Sequence, residues 1–443
     1  MKFVELFDND MKPKWDIIEN IPQFAALKTT KQSNTWHKEG DALRHTRLVV
    51  ENMQRELDEQ NIDNHSAYYL VMMSAALCHD LGKATSTKWD KEKNDYVCNH
   101  HGQAGENITR MLFYDEKFII RELVCYMVRW HMNLHHILDD EEKVDEKLIN
   151  MAHGWVSIQD MLLLNKCDSL GSQNDIETRE FLENRWDTIK ERAEKLDVFD
   201  MVYDDYNTKH ICENLNTALN ASNPIAPFSF MTLNWRDVRE SCSNILRHTP
   251  INWKTNNIKI LNQFTVFMMV GIPGSGKDTI IRKYLNDIPT VCRDDIRTEI
   301  GIQGEKPMGN KEQEKKVTQI FEERMLEYCK QGKSFVINNT NLKKQYRNRF
   351  LDIIKPYKPV VIYIYVEAPS IVDNFARRAG QIDKDIIRRM ASNFDFPYPT
   401  EYTTLWLDIQ GEPQFTEIYG NAMMSHIIQD MMQPRKKKDE QEH

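Results

Sequence analysis

The stretch Gly271–Thr279, GIPGSGKDT, constrains the fold of this chain more than any other. It follows the apolar run Phe264–Val270 (FTVFMMV), the length of a buried parallel strand, and precedes helix-compatible sequence from Ile280 to Asn286. Strand, glycine-rich turn and helix form the context of a phosphate-binding loop. Glycines let backbone N–H groups point inward at phosphate oxygens, and the helix N-terminus adds positive potential. Gly271, Gly274, Ser275 and Gly276 are the expected cradle, with Lys277 reaching the β- and γ-phosphates of ATP. Asp278, followed by Thr279, stands where the pattern has Ser or Thr. A hydroxyl there ligates Mg²⁺; a carboxylate can do so directly or through water.

From this loop onward strands and helices alternate. Residues 264–270, 289–292, 334–338 and 360–366 read as strands, and 311–330, 343–354 and 368–378 as helices. That pattern predicts an α/β fold with a parallel sheet. Upstream, helices are expected at 41–59, 67–80, 104–113, 117–131 and 147–170, with no strand pattern between them. The division is therefore an all-α domain over 1–195, a connector over 196–262, the P-loop domain over 263–433 and a charged, disordered tail over 434–443.

No apolar run approaches about 20 residues, so no membrane span is expected. The N-terminal stretch is too acidic and broken for a signal peptide. Eight cysteines without a CxxC pair fit a reducing cytoplasm. Net charge is −9, yet residues 264–400 carry 23 Lys and Arg against 17 Asp and Glu. Such a segment can grip a few phosphates without coating a duplex.

The helical half holds most of the 14 histidines. His37, His45, the doublet His79-Asp80, the pair His100-His101, His131 and Asp168 are the informative residues, with His101 favoured over His100. Imidazoles and carboxylates from several helices can converge on one or two divalent cations. Lys83, just past the doublet, is placed to hold a substrate phosphate, and two bridged metals would clamp a phosphoryl group and deliver hydroxide to it. His65, His135, His136 and His153 read as structural or surface residues.

This order resembles the HD phosphohydrolase superfamily. HKEGDALRHT (37–46) is similar to the opening motif of HD domains found beside tRNA-processing nucleotidyltransferases. CHDLGK (78–83) resembles the signature doublet, and HHGQAG (100–105) the H-E-x-x-G segment with Gly102 in place of Glu. The resemblance spans about 35–172. It implies that His45, His79, Asp80 and Asp168 bind a first divalent transition metal, and Asp80, His101 and His131 a second.

Three segments beyond the P-loop suit a phosphoryl transferase. CRDDIR (292–297) offers a carboxylate at a strand end and an arginine one turn on. INNTNLKKQYRNRF (337–350) puts polar residues at a strand's C-terminal end before a basic helix. FARRAG (375–380) supplies arginines that can close over ATP. Together they resemble the polynucleotide 5′-kinase family over about 264–395. By that resemblance Asp294 is the general base, Arg297, Asn339, Thr340 and Asn341 bind the acceptor, and Arg377 is the lid arginine. That family has Ser where Asp278 stands and often Asp-Thr-Asn where this chain has Asn339-Thr340-Asn341.

An HD domain ahead of such a kinase resembles the bifunctional end-healing enzymes of bacteria and phages. Their expected chemistry is ATP- and Mg²⁺-dependent phosphorylation of 5′-hydroxyl RNA or DNA ends, and removal of 2′,3′-cyclic, 2′- or 3′-phosphates. A separate ligase would complete the repair. Two other readings stay open: a nucleotide or nucleoside kinase joined to a nucleotide phosphohydrolase, and a regulatory protein switched by ATP.

Overall fold

The computed structural model describes residues 1–33, 37, 39–152, 154–172, 176–200, 264–302, 310–397, 404–410 and 415–419. The expected connector falls outside these residues from 201 on, as does the charged tail. The chain divides into two units, Met1–Tyr203 and Asp204–His443.

The first unit is helical. Helix α1 (Ala42–Glu59) starts where the Asp41 side chain accepts from Arg44 N at 2.9 Å, and it buries Val49, Val50, Met53 and Leu57. Helix α2 (Ala67–Cys78) is capped by Ser66 and buried from Val71 to Cys78, because its sequence is apolar on every side. It packs against α1, α4 (Phe118–Trp130) and α6 (Ile158–Gly171), so it is the central rod of the unit. Helix α3 (His101–Leu112) packs on α4. The single helix expected over 147–170 is two, α5 (Val144–Ala152) and α6, because Ser157 accepts from Asp160 N and caps a new start. Helix α7 (Ile176–Lys195) closes the unit.

Among the described residues, a short ribbon and an isolated bridge between Phe7 and Pro13 depart from an all-helical unit. Strands β1 (Lys88–Asp90) and β2 (Asp95–Val97) form an antiparallel ribbon. Asp90 Oδ1 accepts from the backbone of Glu92 and Lys93 and shapes its turn. Three-residue strands are too short to leave an alternation signal.

The second unit is α/β. Strands β3 (Thr265–Val270), β4 (Thr290–Cys292), β5 (Phe335–Asn338), β6 (Val360–Glu367), β7 (Thr404–Ile409) and β8 (Phe415–Tyr419) form one sheet in the order β4-β5-β3-β6-β7-β8. Five strands are parallel and β8 is antiparallel at the edge. The last two strands were not among those expected. Helices α8 (Lys277–Tyr284), α9 (Arg293–Glu299), α10 (Lys311–Lys330), α11 (Lys344–Ile354), α12 (Ile371–Arg377) and α13 (Lys384–Ala391) connect or follow them. Phe267, Met269, Val336, Ile362, Ile364 and Val366 meet Ile280 and Leu285 of the α8 segment in one core. Each such side chain contributes about 1.5–3 kcal/mol when fully buried. That packing fixes α8, and hence the P-loop, over the carboxyl ends of the central strands, where open α/β sheets bind ligands.

Candidate metal centre and phosphate-binding loop

The end of α2 and the start of α3 meet closely. A Cβ on Gly82 would lie 1.9 Å from the His101 carbonyl oxygen, so only glycine admits this approach, which sets His101 beside Asp80. His45 comes from α1, His79 and Asp80 from the end of α2, His101 from α3, His131 from the end of α4, and Asp168 from α6. All six are nearly or fully buried.

Three groups of potential ligands result among the described residues. His45, His79 and Asp168 form one, Asp80, His101 and His131 a second, and His37, Glu39 and His45 a third that shares His45 with the first. His45 Nε2 lies 2.8 Å from Asp168 Oδ1 and 3.6 Å from Asp80 Oδ2. His79 Nε2 lies 3.3 Å from Asp80 Oδ2 and 3.6 Å from Asp168 Oδ1. His101 Nε2 and His131 Nε2 stand 3.5 and 3.9 Å from Asp80 Oδ1, so Asp80 faces the first two groups.

The hydrogen bonds behind these side chains test whether a cation fits. His79, His101 and His131 each direct Nδ1 at a carbonyl, of Ala76, Cys98 and Val128, at 2.8 Å. A carbonyl only accepts, so Nδ1 carries a hydrogen and Nε2 faces inward, with a free lone pair wherever the imidazole is neutral. His101 Nε2 and His131 Nε2 are 2.9 Å apart, two lone pairs face to face. Burial lowers the pKa of both imidazoles, that of His131 to about 3, so a shared proton is disfavoured. A divalent cation relieves this arrangement, and the mixed imidazole–carboxylate donor set suits a transition metal. Burial opposes charge on His79, but Asp80 and Asp168 outweigh it and raise its pKa to about 10; a cation would take the place of that proton.

Two residues outside the expected ligand set, Glu39 and His135, belong here. Glu39 is buried, with Oε1 2.9 Å from His45 Nδ1, 2.7 Å from His37 Nδ1 and 3.2 Å from Gln32 Nε2. Burial works against its charge, yet His37 and His45 hold its carboxyl at about 2. A carboxylate behind a ligating imidazole fixes its tautomer and orientation. Glu39→Gln is therefore expected to weaken metal binding by about 10- to 100-fold, read by equilibrium dialysis; unchanged affinity would make Glu39 a packing residue only. The clue was present, since Glu39 sits inside HKEGDALRHT, but a lone Glu has no spacing signal. His135, read as structural or surface, places Nε2 3.2 Å from Asp168 Oδ2 at the partly open side. His65, His100 and His136 are exposed, and His153 lies outside the described residues.

Lys83 is buried and its three donor directions are occupied. Nζ lies 2.7 Å from Asp80 Oδ2, 2.7 Å from Gln32 Oε1 and 3.4 Å from His37 Nε2. It orients Asp80, and a substrate phosphate would have to displace the long contact to His37.

In the α/β unit the loop after β3 has the expected form. Gly274 and Gly276 adopt φ of 82° and 106°, where a side chain is strained. Lys277 Nζ donates to the carbonyls of Gly271 and Ile272 at 2.9 and 3.0 Å, and burial lowers its pKa to about 8. Ser275 is buried and Thr279 exposed. Arg377 Nη1 donates to the Gly274 carbonyl at 3.2 Å and to Gln410 Oε1 at 2.9 Å, and Asn374 Nδ2 donates to the Pro273 carbonyl. Helix α12 thus lies against the loop. Asp278 accepts from Asn338 Nδ2 at 2.9 Å and lies 3.6 Å from Arg378 Nη2.

The remaining expected residues divide. Asp294 is exposed at the start of α9, 2.6 Å from Arg297 Nη1. Arg297 also donates twice to Glu314, at 2.8 and 2.9 Å, so its guanidinium braces Asp294 instead of standing free for an acceptor. Asn339 and Thr340 are half-buried beyond β5, where the Thr340 carbonyl accepts from Gly271 N. Asn341 is 1% exposed and donates to the Met269 carbonyl at 2.7 Å; it ties its loop to β3 and is closed to an acceptor.

Comparison with known proteins agrees with this architecture. Residues 44–153 match the HD domain and residues 266–397 the AAA domain. The multifunctional CCA protein of Pasteurella multocida (strain Pm70) is 28% identical over 207 residues, covering 44% of this chain and 46% of that protein. The protein of the same name from Actinobacillus pleuropneumoniae serotype 5b (strain L20) is 26% identical over 206 residues, with the same coverage. The chain spans about half the length of the curated relatives it matches. A solved structure of a kinase candidate from Chloroflexus aurantiacus is 14% identical, with a TM-score of 0.29, over 39% of this chain and 100% of that one. The helical unit thus carries the match to the HD domain, and the α/β unit, with its P-loop, the match to the AAA domain. Among the described residues, no helix is long and apolar enough to cross a membrane.

Proposed function

We propose that this chain heals nucleic-acid ends, phosphorylating a 5′-hydroxyl from ATP in the α/β unit and removing 2′,3′-cyclic, 2′- or 3′-phosphates in the helical unit. The observation that carries the reading is that one chain holds two phosphate-handling centres, each made wholly from its own unit. One has the donor set of a metal-dependent hydrolase, and the other a phosphate loop whose Lys277 feels the charge of a braced carboxylate, Asp294. Similarity to proteins named multifunctional CCA proteins supports an RNA-related substrate.

In the α/β unit, loop N–H groups and Lys277 hold the ATP phosphates, and Arg377, already at the loop, covers them. Asp294, held by Arg297, which Glu314 anchors in turn, accepts the proton of the attacking 5′-hydroxyl. In the helical unit, His45, His79, Asp80 and Asp168 would hold one cation, and Asp80, His101 and His131 a second. A bound divalent cation supplies Lewis acidity at the phosphoryl oxygens. Lys83 and Glu39 keep Asp80 and His45 in register, and His37 and His135 border the open side.

Transfer of labelled phosphate from ATP to a 5′-hydroxyl RNA, compared with free nucleosides, tests the kinase assignment. Transfer to nucleosides alone would replace it with a nucleoside kinase. A finer test addresses Asp278. If it takes part in Mg²⁺ binding, Asp278→Ser should shift the Mg²⁺ concentration for half-maximal transfer several-fold while activity survives. An unshifted titration would leave Asp278 only the partner of Asn338 and Arg378.

A further inference from the structure

Two neighbouring arginines stand at the end of α12, and their surroundings differ. Arg377 Nη1 donates to the carbonyls of Gly274 and Ser275 at 3.2 and 3.4 Å and to Gln410 Oε1 at 2.9 Å, so this side chain braces the P-loop backbone. Arg378 reaches the residue after the P-loop lysine. Its Nη2 lies 3.6 Å from Asp278 Oδ2, and its Nη1 donates to Gln381 Oε1 at 3.1 Å.

That placement is built into the fold. One helical turn before Arg378, the buried Asn374 donates to the Pro273 carbonyl at 3.0 Å. A Cβ on Gly274 would lie 2.6 Å from the Asn374 carbonyl oxygen, so glycine lets the helix and the loop meet. Asp278 is held from the other direction, where Oδ1 accepts from Asn338 at the end of β5. The Lys277 ammonium feels the charges of Asp278, Arg378 and Asp294, which puts all four groups around one point.

The Arg378–Asp278 pair is loose. Its 3.6 Å separation exceeds a charge-assisted hydrogen bond, and the two side chains are 34% and 60% exposed. Exposed pairs of this kind are weak. A terminal phosphate, with more charge and several acceptor oxygens, is a better partner for a guanidinium than one distant carboxylate.

The geometry points to a charge latch. Asp278, which stands where the P-loop pattern has a hydroxyl, is the stand-in anion for Arg378 in the nucleotide-free protein, and Arg378 exchanges it for the γ-phosphoryl group of ATP. The inference rests on the kinase reading of the α/β unit. In the transfer the 5′-hydroxyl oxygen bonds to the γ-phosphorus and the bond to the β–γ bridging oxygen breaks. ADP leaves with that electron pair, and Asp294 takes the hydroxyl proton. Arg378 meets the charge on the oxygens of the moving group, while Arg377 holds the loop over the donor phosphates.

The test uses the full chain and two measurements. Both latch residues are partly exposed, so neither substitution opens a core. ATP binding is first measured by calorimetry without added Mg²⁺, with Lys277→Ala as the blank. Asp278→Asn should tighten binding, and the gain should be roughly 2- to 5-fold larger with Arg378 present than in Arg378→Ala, the worth of one exposed ion pair. Equal gains would leave only repulsion between Asp278 and phosphate, and would overturn the latch. In the transfer assay Arg378→Ala should lower kcat about 100- to 1000-fold with a smaller change in KM for ATP, and Arg378→Lys should recover part of it. An unchanged kcat would overturn the contact with the moving group. Coupled binding in a protein that phosphorylates no 5′-hydroxyl would uphold the latch and sink the kinase reading. Phosphorylation without the coupling would do the reverse.

Discussion

Asp80→Ala is expected to abolish release of terminal phosphate while ATP-dependent 5′ phosphorylation continues at the wild-type rate. Asp80 is the carboxylate that faces the first two ligand groups, with Oδ2 toward His45 and His79 and Oδ1 toward His101 and His131. It also holds the buried Lys83 ammonium at 2.7 Å. Alanine leaves four imidazoles without their shared anion and a buried cation without its partner, so both metal positions should weaken together. Metal content by mass spectrometry should fall with activity, and circular dichroism checks that the helices persist. One RNA carrying a 5′-hydroxyl and a 2′,3′-cyclic phosphate scores both ends in a single assay. Loss of both activities in a folded protein would show that the centres are coupled.

The mirror-image result is expected from Lys277→Ala. Its ammonium now satisfies two loop carbonyls and is nine-tenths buried, so its charge is held where phosphates would sit. Burial that lowers its pKa to about 8 makes an anionic ligand the natural compensation. Loss of one preorganised cation from a water-excluded phosphoryl-transfer site costs about a hundred- to thousand-fold in rate. 5′ Phosphorylation should therefore fall below detection in a routine assay while phosphate release is untouched. Asp294→Ala should match it, because the braced carboxylate is the proposed base. Full transfer by either variant would remove the kinase assignment.

Much of this architecture was legible in the chain. The P-loop follows from local geometry alone, since glycines at positive φ and one lysine are needed at fixed spacing. The His79-Asp80 doublet was visible because two potential ligands end an apolar helix. The two-helix break near Ser157, the ribbon at 88–97 and the last two strands were not, because each depends on a short segment whose state is set by its neighbours.

Sequence by itself determined which residue types could do chemistry and in what order: a metal-binding half, then a phosphate-binding half. It could not separate residues that face a ligand from residues that hold those residues. Tertiary structure decided that Glu39 stands behind His45, that Arg297 is committed to Glu314 and Asp294, and that Asn341 is sealed beneath β3. The physical reason is the same in each case. Charged and polar groups removed from water must find partners, and partners more than a few residues away in sequence are chosen by packing. Residues 39 and 45, or 297 and 314, meet only once their helices and loops are in place.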